Sequence, residues 1–165
     1  MQNRDVAHSF FYDINGKFER RSMTVSYAYN KYWSYATVIA KITQTITGKT
    51  VCIISDNNFS AITTKHISEL RSACPFDVVY LPQRIGQQDF NAYDTVKICI
   101  DNLKYYSKSK LTQKPNREGF SKYFHMLQNT LELEGFKNEF EKTEQALNEY
   151  RPLYDAINDP EKLKD

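Results

Sequence analysis

His66 and Glu69 are the first residues in this sequence whose types and spacing suit chemistry. Three apart on a helix, they share one face, as two metal ligands or a base and its orienting carboxylate would. No third ligand stands at a recognised spacing, and His8 and His125 lie far off along the chain. The pair therefore reads first as a partly buried or capping histidine beside a solvated carboxylate. Asp77 follows Pro75-Phe76 at the start of an expected strand. A metal-dependent nuclease of the restriction type would need a Glu-x-Lys on the next strand, so that two carboxylates hold Mg²⁺ and a lysine assists. The downstream sequence offers no such strand. Asp94 and Asp101, two turns apart, could share a cation but more simply face solvent. No GxGxxG, GKS/T or GxSxG stands in the sequence, and five glycines leave little for a phosphate cradle. No catalytic residue, metal-ligand set or cofactor is assigned on these grounds. A metal-dependent nuclease using His66, Glu69 and Asp77 is kept as the third reading.

Aromatic and charged residues carry more information. Tyr27, Tyr29, Tyr32, Trp33 and Tyr35 crowd together around Lys31, after Arg20 and Arg21. Exposed rings interleaved with cations suit single-stranded nucleic acid, because bases stack on rings while cations hold phosphates. Tyr and Trp beside Arg also suit a protein-binding hot spot. Half-buried sheet positions explain the same residues through strand propensity. The three readings stay open. The net charge of +2 is too small for bulk attraction to nucleic acid, but it hides an asymmetry. Residues 104 to 122 hold Lys104, Lys108, Lys110, Lys114, Arg117 and Lys122 against Glu118 alone. Residues 132 to 165 reverse the sign, with ten acids against five bases. Opposite runs of this kind ordinarily solvate helix faces or pair with each other. Cys52, Cys74 and Cys99 form no CxxC and read as buried thiols of a reducing compartment. No apolar run is long enough to span a membrane, and no secretory leader pattern opens the chain. The expectation is a soluble protein of the host bacterial cytoplasm.

The elements that must position these residues divide at about residue 88. Ser9 to Tyr12, the turn Ile14 to Lys17 and Phe18 to Thr24 predict a first hairpin, which Val25 to Lys31 extends. Trp33 to Ile46 alternates at period two in its second half. Thr47-Gly48-Lys49 turns into the apolar strand Thr50 to Ser55, and Asp56-Asn57-Asn58 turns again. Ile62, His66, Ile67, Leu70 and Cys74 then predict a short helix, capped by the hydroxyl of Thr63 or Thr64 and stopped by Pro75. Phe76 to Leu81 reads as a buried strand. Beyond it, Tyr93, Val96, Ile100 and Leu103 form one helical stripe within Phe90 to Leu111. Asn116 caps a second helix bearing Phe120, Phe124, Leu127 and Leu131. Gly135 interrupts, and Phe136, Phe140, Leu147 and Tyr150 continue to Pro152, before a coda from Leu153 to Ile157. The fold class expected is α+β: an antiparallel meander with one short helix over residues 1–88, then about three helices over 89–165. Those helices either pack on the sheet or form an interaction arm, and their Phe/Leu stripe suits a core or a homodimer seam.

The segment Trp33 to Ala40, the hairpin around Gly48 and the segment Asn58 to His66 resemble a small domain of bacteriophage and mobile-element proteins. That family carries a Tyr-Ser-x-x-Thr strand start and, after a hairpin, an aromatic-Ser-x-Thr-Thr-x-Lys-His helix start. Ser34, Tyr35 and Thr37 stand near the first motif; Phe59, Ser60, Thr63, Thr64, Lys65 and His66 stand in the second. This chain departs in an extra residue before Thr63 and none between Thr64 and Lys65, and the likeness covers residues 33–82. The family lends no catalytic role. Its context implies a protein that binds host machinery, as small anti-CRISPR inhibitors do. The first reading is thus a non-enzymatic inhibitor of a CRISPR nuclease or its guide-RNA complex. Its expected contact residues are Tyr29, Lys31, Tyr32, Trp33 and Tyr35, with Glu139, Glu141 and Glu144 imitating phosphate charge. The alternative is a nucleic-acid-binding accessory protein using Arg20, Arg21, Lys104, Lys108, Lys110, Lys114 and Arg117.

Overall fold

The computed structural model describes residues 2–12, 20–56, 61–84, 86–159 and 161. Two compact units follow one another, residues 1–91 and 92–165. Both α and β structure are present, and most strand pairings are antiparallel.

The first unit opens on a helix, α1 (Asn3–Tyr12), where the sequence predicts Ser9 to Tyr12 as the first arm of a hairpin. Val6, Ala7, Phe10 and Phe11 recur at helical spacing, and all four are buried. The short apolar run fits either period, and the long-range packing chose the helix. The expected Ile14–Lys17 turn lies outside the described residues. Among the described residues the sheet has six strands in sequence order: β1 (Arg20–Arg21), β2 (Val25–Ala28), β3 (Lys31–Ser34), β4 (Thr37–Gln44), β5 (Thr50–Ser55) and β6 (Asp77–Leu81). A two-residue turn at Tyr35-Ala36 splits the single strand expected from Trp33 to Ile46. The first five strands pair antiparallel, but β5 and β6 run parallel, with Cys52 opposite Val78. The meander is therefore not wholly antiparallel. Helix α2 (Ala61–Ala73) makes the crossover that a parallel pair requires.

One face of the sheet packs on helices. Tyr27, Tyr32, Ile39, Ala40, Cys52 and Ile54 join Phe10 and Phe11 of α1 and Leu70 of α2 in one core. Phe10 meets the rings of Tyr27 at 5.6 Å and Tyr32 at 5.3 Å. The buried stripe of α2 is Thr63, His66 and Leu70, whereas Ile62 is exposed. Thr63 lies within the helix and does not cap it.

The second unit holds α3 (Ala92–Ser107), α4 (Lys114–Thr130), a 3₁₀ segment (Glu134–Glu139) and α5 (Phe140–Ile157). Its core is built by Phe120, Phe124 and Leu127, which are fully buried, with Leu103, Leu133 and Leu147. The Phe124 ring stacks on Tyr154 at 4.1 Å and 9°. Phe120, Phe124 and Leu127 of the expected stripe are thus covered within their own unit, while Leu131 and Phe140 are half-buried. Three local expectations change. Thr95 and Cys99, not Tyr93, share the buried stripe of α3 with Val96 and Leu103. Gln113 is the N-cap of α4 and Pro115 opens the helix, so Asn116 is internal. Pro152 lies inside α5, which continues through Leu153 to Ile157.

Candidate functional site

Three residues of the two motifs, Ser34, Thr63 and His66, meet at α2, while Phe59 and Ser60 lie outside the described residues. Ser34 Oγ, at the end of β3, lies 2.7 Å from His66 Nδ1 and 3.1 Å from Thr63 Oγ1. On the other side of the ring, His66 Nε2 lies 3.3 Å from Thr24 Oγ1. Thr24 and Ser22 hydroxyls both donate to Asn3 Oδ1 of α1. That acceptor fixes the direction of the chain. With its proton given to Asn3, Thr24 accepts from His66 Nε2–H, so Nδ1 is bare and accepts from Ser34, whose oxygen accepts from Thr63. The Tyr35 ring lies 6.0 Å from the imidazole. Burial holds the pKa of His66 below its usual value, against the opposing charge of Glu69.

A serine hydroxyl donating to imidazole has the polarity that a nucleophile needs. Ser34 and His66 are each 2 % exposed, however, which leaves no approach for a substrate carbonyl. The arrangement does structural chemistry: buried Ser34, Thr63 and His66 and half-buried Asn3, Ser22 and Thr24 satisfy one another across α1, the Ser22–Thr24 segment, β3 and α2. Asp77 does not join it; its exposed carboxylate pairs with Lys49. Among the described residues no three His, Cys, Asp or Glu side chains are grouped so as to hold a metal ion. Glu69 carries a buried, unpartnered Oε2, and its charge adds to burial in raising the pKa of the Tyr32 hydroxyl.

The expected aromatic surface separates into three environments. Tyr32 is core, 1 % exposed, and offers nothing to a partner. Trp33 and Lys31 hold a neighbouring segment in place. Trp33 Nε1 donates to Gln88 at 3.3 Å, Gln88 donates to the Ala36 carbonyl, and Lys31 and Lys41 both bind Asp89, at 3.2 and 3.1 Å. Burial would raise the Asp89 pKa, but the two ammonium groups outweigh it and hold it below the usual range. Tyr29 and Tyr35 are exposed, in the two-residue turns at either end of β3. Both have left-handed backbones, φ 55° and 53°.

The charged candidates also sort themselves. The side chains of Arg20 and Arg21 lie outside the described residues. Lys114 lies 3.8 Å from Glu118, and Arg117 donates to the carbonyls of Leu111 and Thr112, tying down the α3–α4 turn. Lys104, Lys108 and Lys110 are exposed. On α5 both cations turn to rings: Lys142 stands 4.8 Å from Tyr93 and Arg151 5.6 Å from Phe124. Glu141, Glu144 and Glu149 are exposed on that helix, while Glu139 is half-buried at its cap.

Sequence reasoning missed the partners of His66 and the Lys31–Asp89–Lys41 clamp, because each joins residues from separate elements. One signal was legible: a histidine in the apolar stripe of a helix must find polar partners once buried. Comparison with protein-family models, curated proteins and solved structures finds no match for this chain. No helix among the described residues is long and apolar enough to cross a membrane.

Proposed function

We propose that this protein is a non-enzymatic binding protein of phage or mobile-element origin. It inhibits a host defence effector, a CRISPR-type nuclease, by occupying one of its functional surfaces. The observation that carries this reading is the pair of exposed tyrosines held at left-handed φ. An L-residue there costs roughly 1–2 kcal/mol that glycine would not. A 78 %-exposed ring at Tyr29 recovers little of that cost by packing in its own fold. Strain kept at an exposed aromatic is typical of a contact residue. The two turns stand roughly 15 Å apart at the ends of β3, within the footprint of a standard interface. The carboxylates of α5, freed from its own cations, supply the charge that a basic nucleic-acid channel would accept.

The test uses Tyr29→Gly and Tyr35→Gly. Glycine suits both backbones, so the expectation is folding that is unchanged or stronger by up to ~1 kcal/mol. Phage plaquing on bacteria protected by a CRISPR nuclease should rise when the chain is expressed and fall back with either variant. Plaquing that the intact chain never restores, or that both variants restore fully, rejects the reading.

A further inference from the structure

In the second unit α3 and α4 set three tyrosines in a row. Tyr105 meets Tyr106 edge to face at 5.1 Å, and Tyr106 stacks on Tyr123 at 6.2 Å and 24°. Lys122 Nζ stands 5.4 Å from the centre of the Tyr123 ring. Gly119 leaves space for Tyr106: a Cβ there would come 2.6 Å from its Cε1. The inner two rings are therefore fixed by neighbours, while the outermost, Tyr105, is 68 % exposed. Lys104 at the end of α3 and Lys108 in the turn that follows share with Tyr105, Asp101 and Ser109 an open groove of about 570 Å³. The Asp101 carboxylate is engaged by Lys97 at 2.8 Å, which lowers its opposition to an anion. The C-terminal end of α3 also disfavours negative charge. Two lysines exceed what that dipole calls for, and exposed Lys110 adds a third.

We propose that this groove binds single-stranded nucleic acid, one base stacking on Tyr105 while adjacent phosphates rest on Lys104 and Lys108. An exposed ring that shares a groove with two cations suits a base and its neighbouring phosphates. A duplex, whose bases are already stacked, offers no free face to Tyr105. The proposal uses none of the residues that carry the inhibitor reading and does not depend on it.

Fluorescence anisotropy of labelled oligouridylate and oligothymidylate, about 15 nucleotides long, tests it with the full chain. Single strands should bind more tightly than a duplex of equal length. Tyr105→Ala should weaken binding about 5- to 100-fold without changing the circular dichroism spectrum. Lys104→Ala with Lys108→Ala should lower the slope of log affinity against log salt by ~1.4. A preference for the ribo- or the deoxyribo-oligomer would name the natural polymer, and binding of either supports the site. Three outcomes overturn it: no single-strand binding at about 50 mM salt, binding indifferent to Tyr105→Ala, or equal affinity for polyglutamate.

Discussion

Gly119→Ala is the sharpest test of the packing between α3 and α4. Glycine in a helix interior is worse than alanine by roughly 1 kcal/mol, so the default expectation is a more stable protein. Gly119 is internal to α4, but an added Cβ would come 2.6 Å from Tyr106 Cε1, 2.7 Å from Cε2 and closer still to Cζ. Real Cβ atoms do not approach aromatic carbons that closely, so the ring must move. Moving it gives up the Tyr106–Tyr123 stack at 6.2 Å. Overpacking of this kind costs about 1–3 kcal/mol, which equals or exceeds the propensity gain. The expected net change is a loss of about 0–2 kcal/mol, read by urea denaturation. The decisive measurement is the same substitution in a Tyr106→Ala background. With the ring gone, alanine at 119 should stabilise by its ordinary ~1 kcal/mol. The cycle therefore predicts a coupling energy of about 1–3 kcal/mol between positions 119 and 106. Coupling below about 0.5 kcal/mol, or a stabilised single variant, would refute the reasoning.

Other outcomes follow from buried and paired groups in each unit. His66→Ala strands the hydroxyls of Ser34 and Thr24 and opens a cavity, and should cost on the order of 2–4 kcal/mol by denaturant titration. Because burial depresses the His66 pKa, its contribution is complete above the unfolded value near 6.5 and is lost as pH falls through the folded one. Stability measured against pH should accordingly decline below about 6.5, and the decline should vanish in His66→Gln. Asp89, whose pKa is also depressed, should give a second loss at lower pH, below the ordinary carboxylate value of about 3.9. Asp89→Asn should remove that step, visible in the acid limb of the same titration. Cys74 is half-buried, not buried, and a hydrogen bond from the Cys52 thiol lowers its pKa to about 7. Iodoacetamide should label Cys74 with a midpoint near that pH. Cys99, pushed to about 12 by burial, should stay unlabelled until the protein unfolds.

Much of this was already in the sequence, for local reasons. Gly48 at a tight turn, the apolar run Val51 to Ile54, the stop at Pro75 and the Phe120–Phe124–Leu127 stripe each depend on neighbours within one element. Each stands as the sequence implies. What depended on distant residues was not legible. The segment Ser9 to Tyr12 suits a strand as well as a helix, and burial of Phe10 against Tyr27 and Tyr32 decides for α1. Nothing local tells Tyr32 from Tyr29, yet pleating sends one into the core and the turn leaves the other 78 % exposed. The lysines and acids likewise read as uniform runs. Only tertiary packing draws Lys31 to Asp89 and Lys142 to Tyr93, leaving Lys104, Lys108 and the α5 carboxylates at the surface. Sequence specifies which charges and rings exist. Long-range contacts determine which of them the fold uses for itself and which it leaves for a partner.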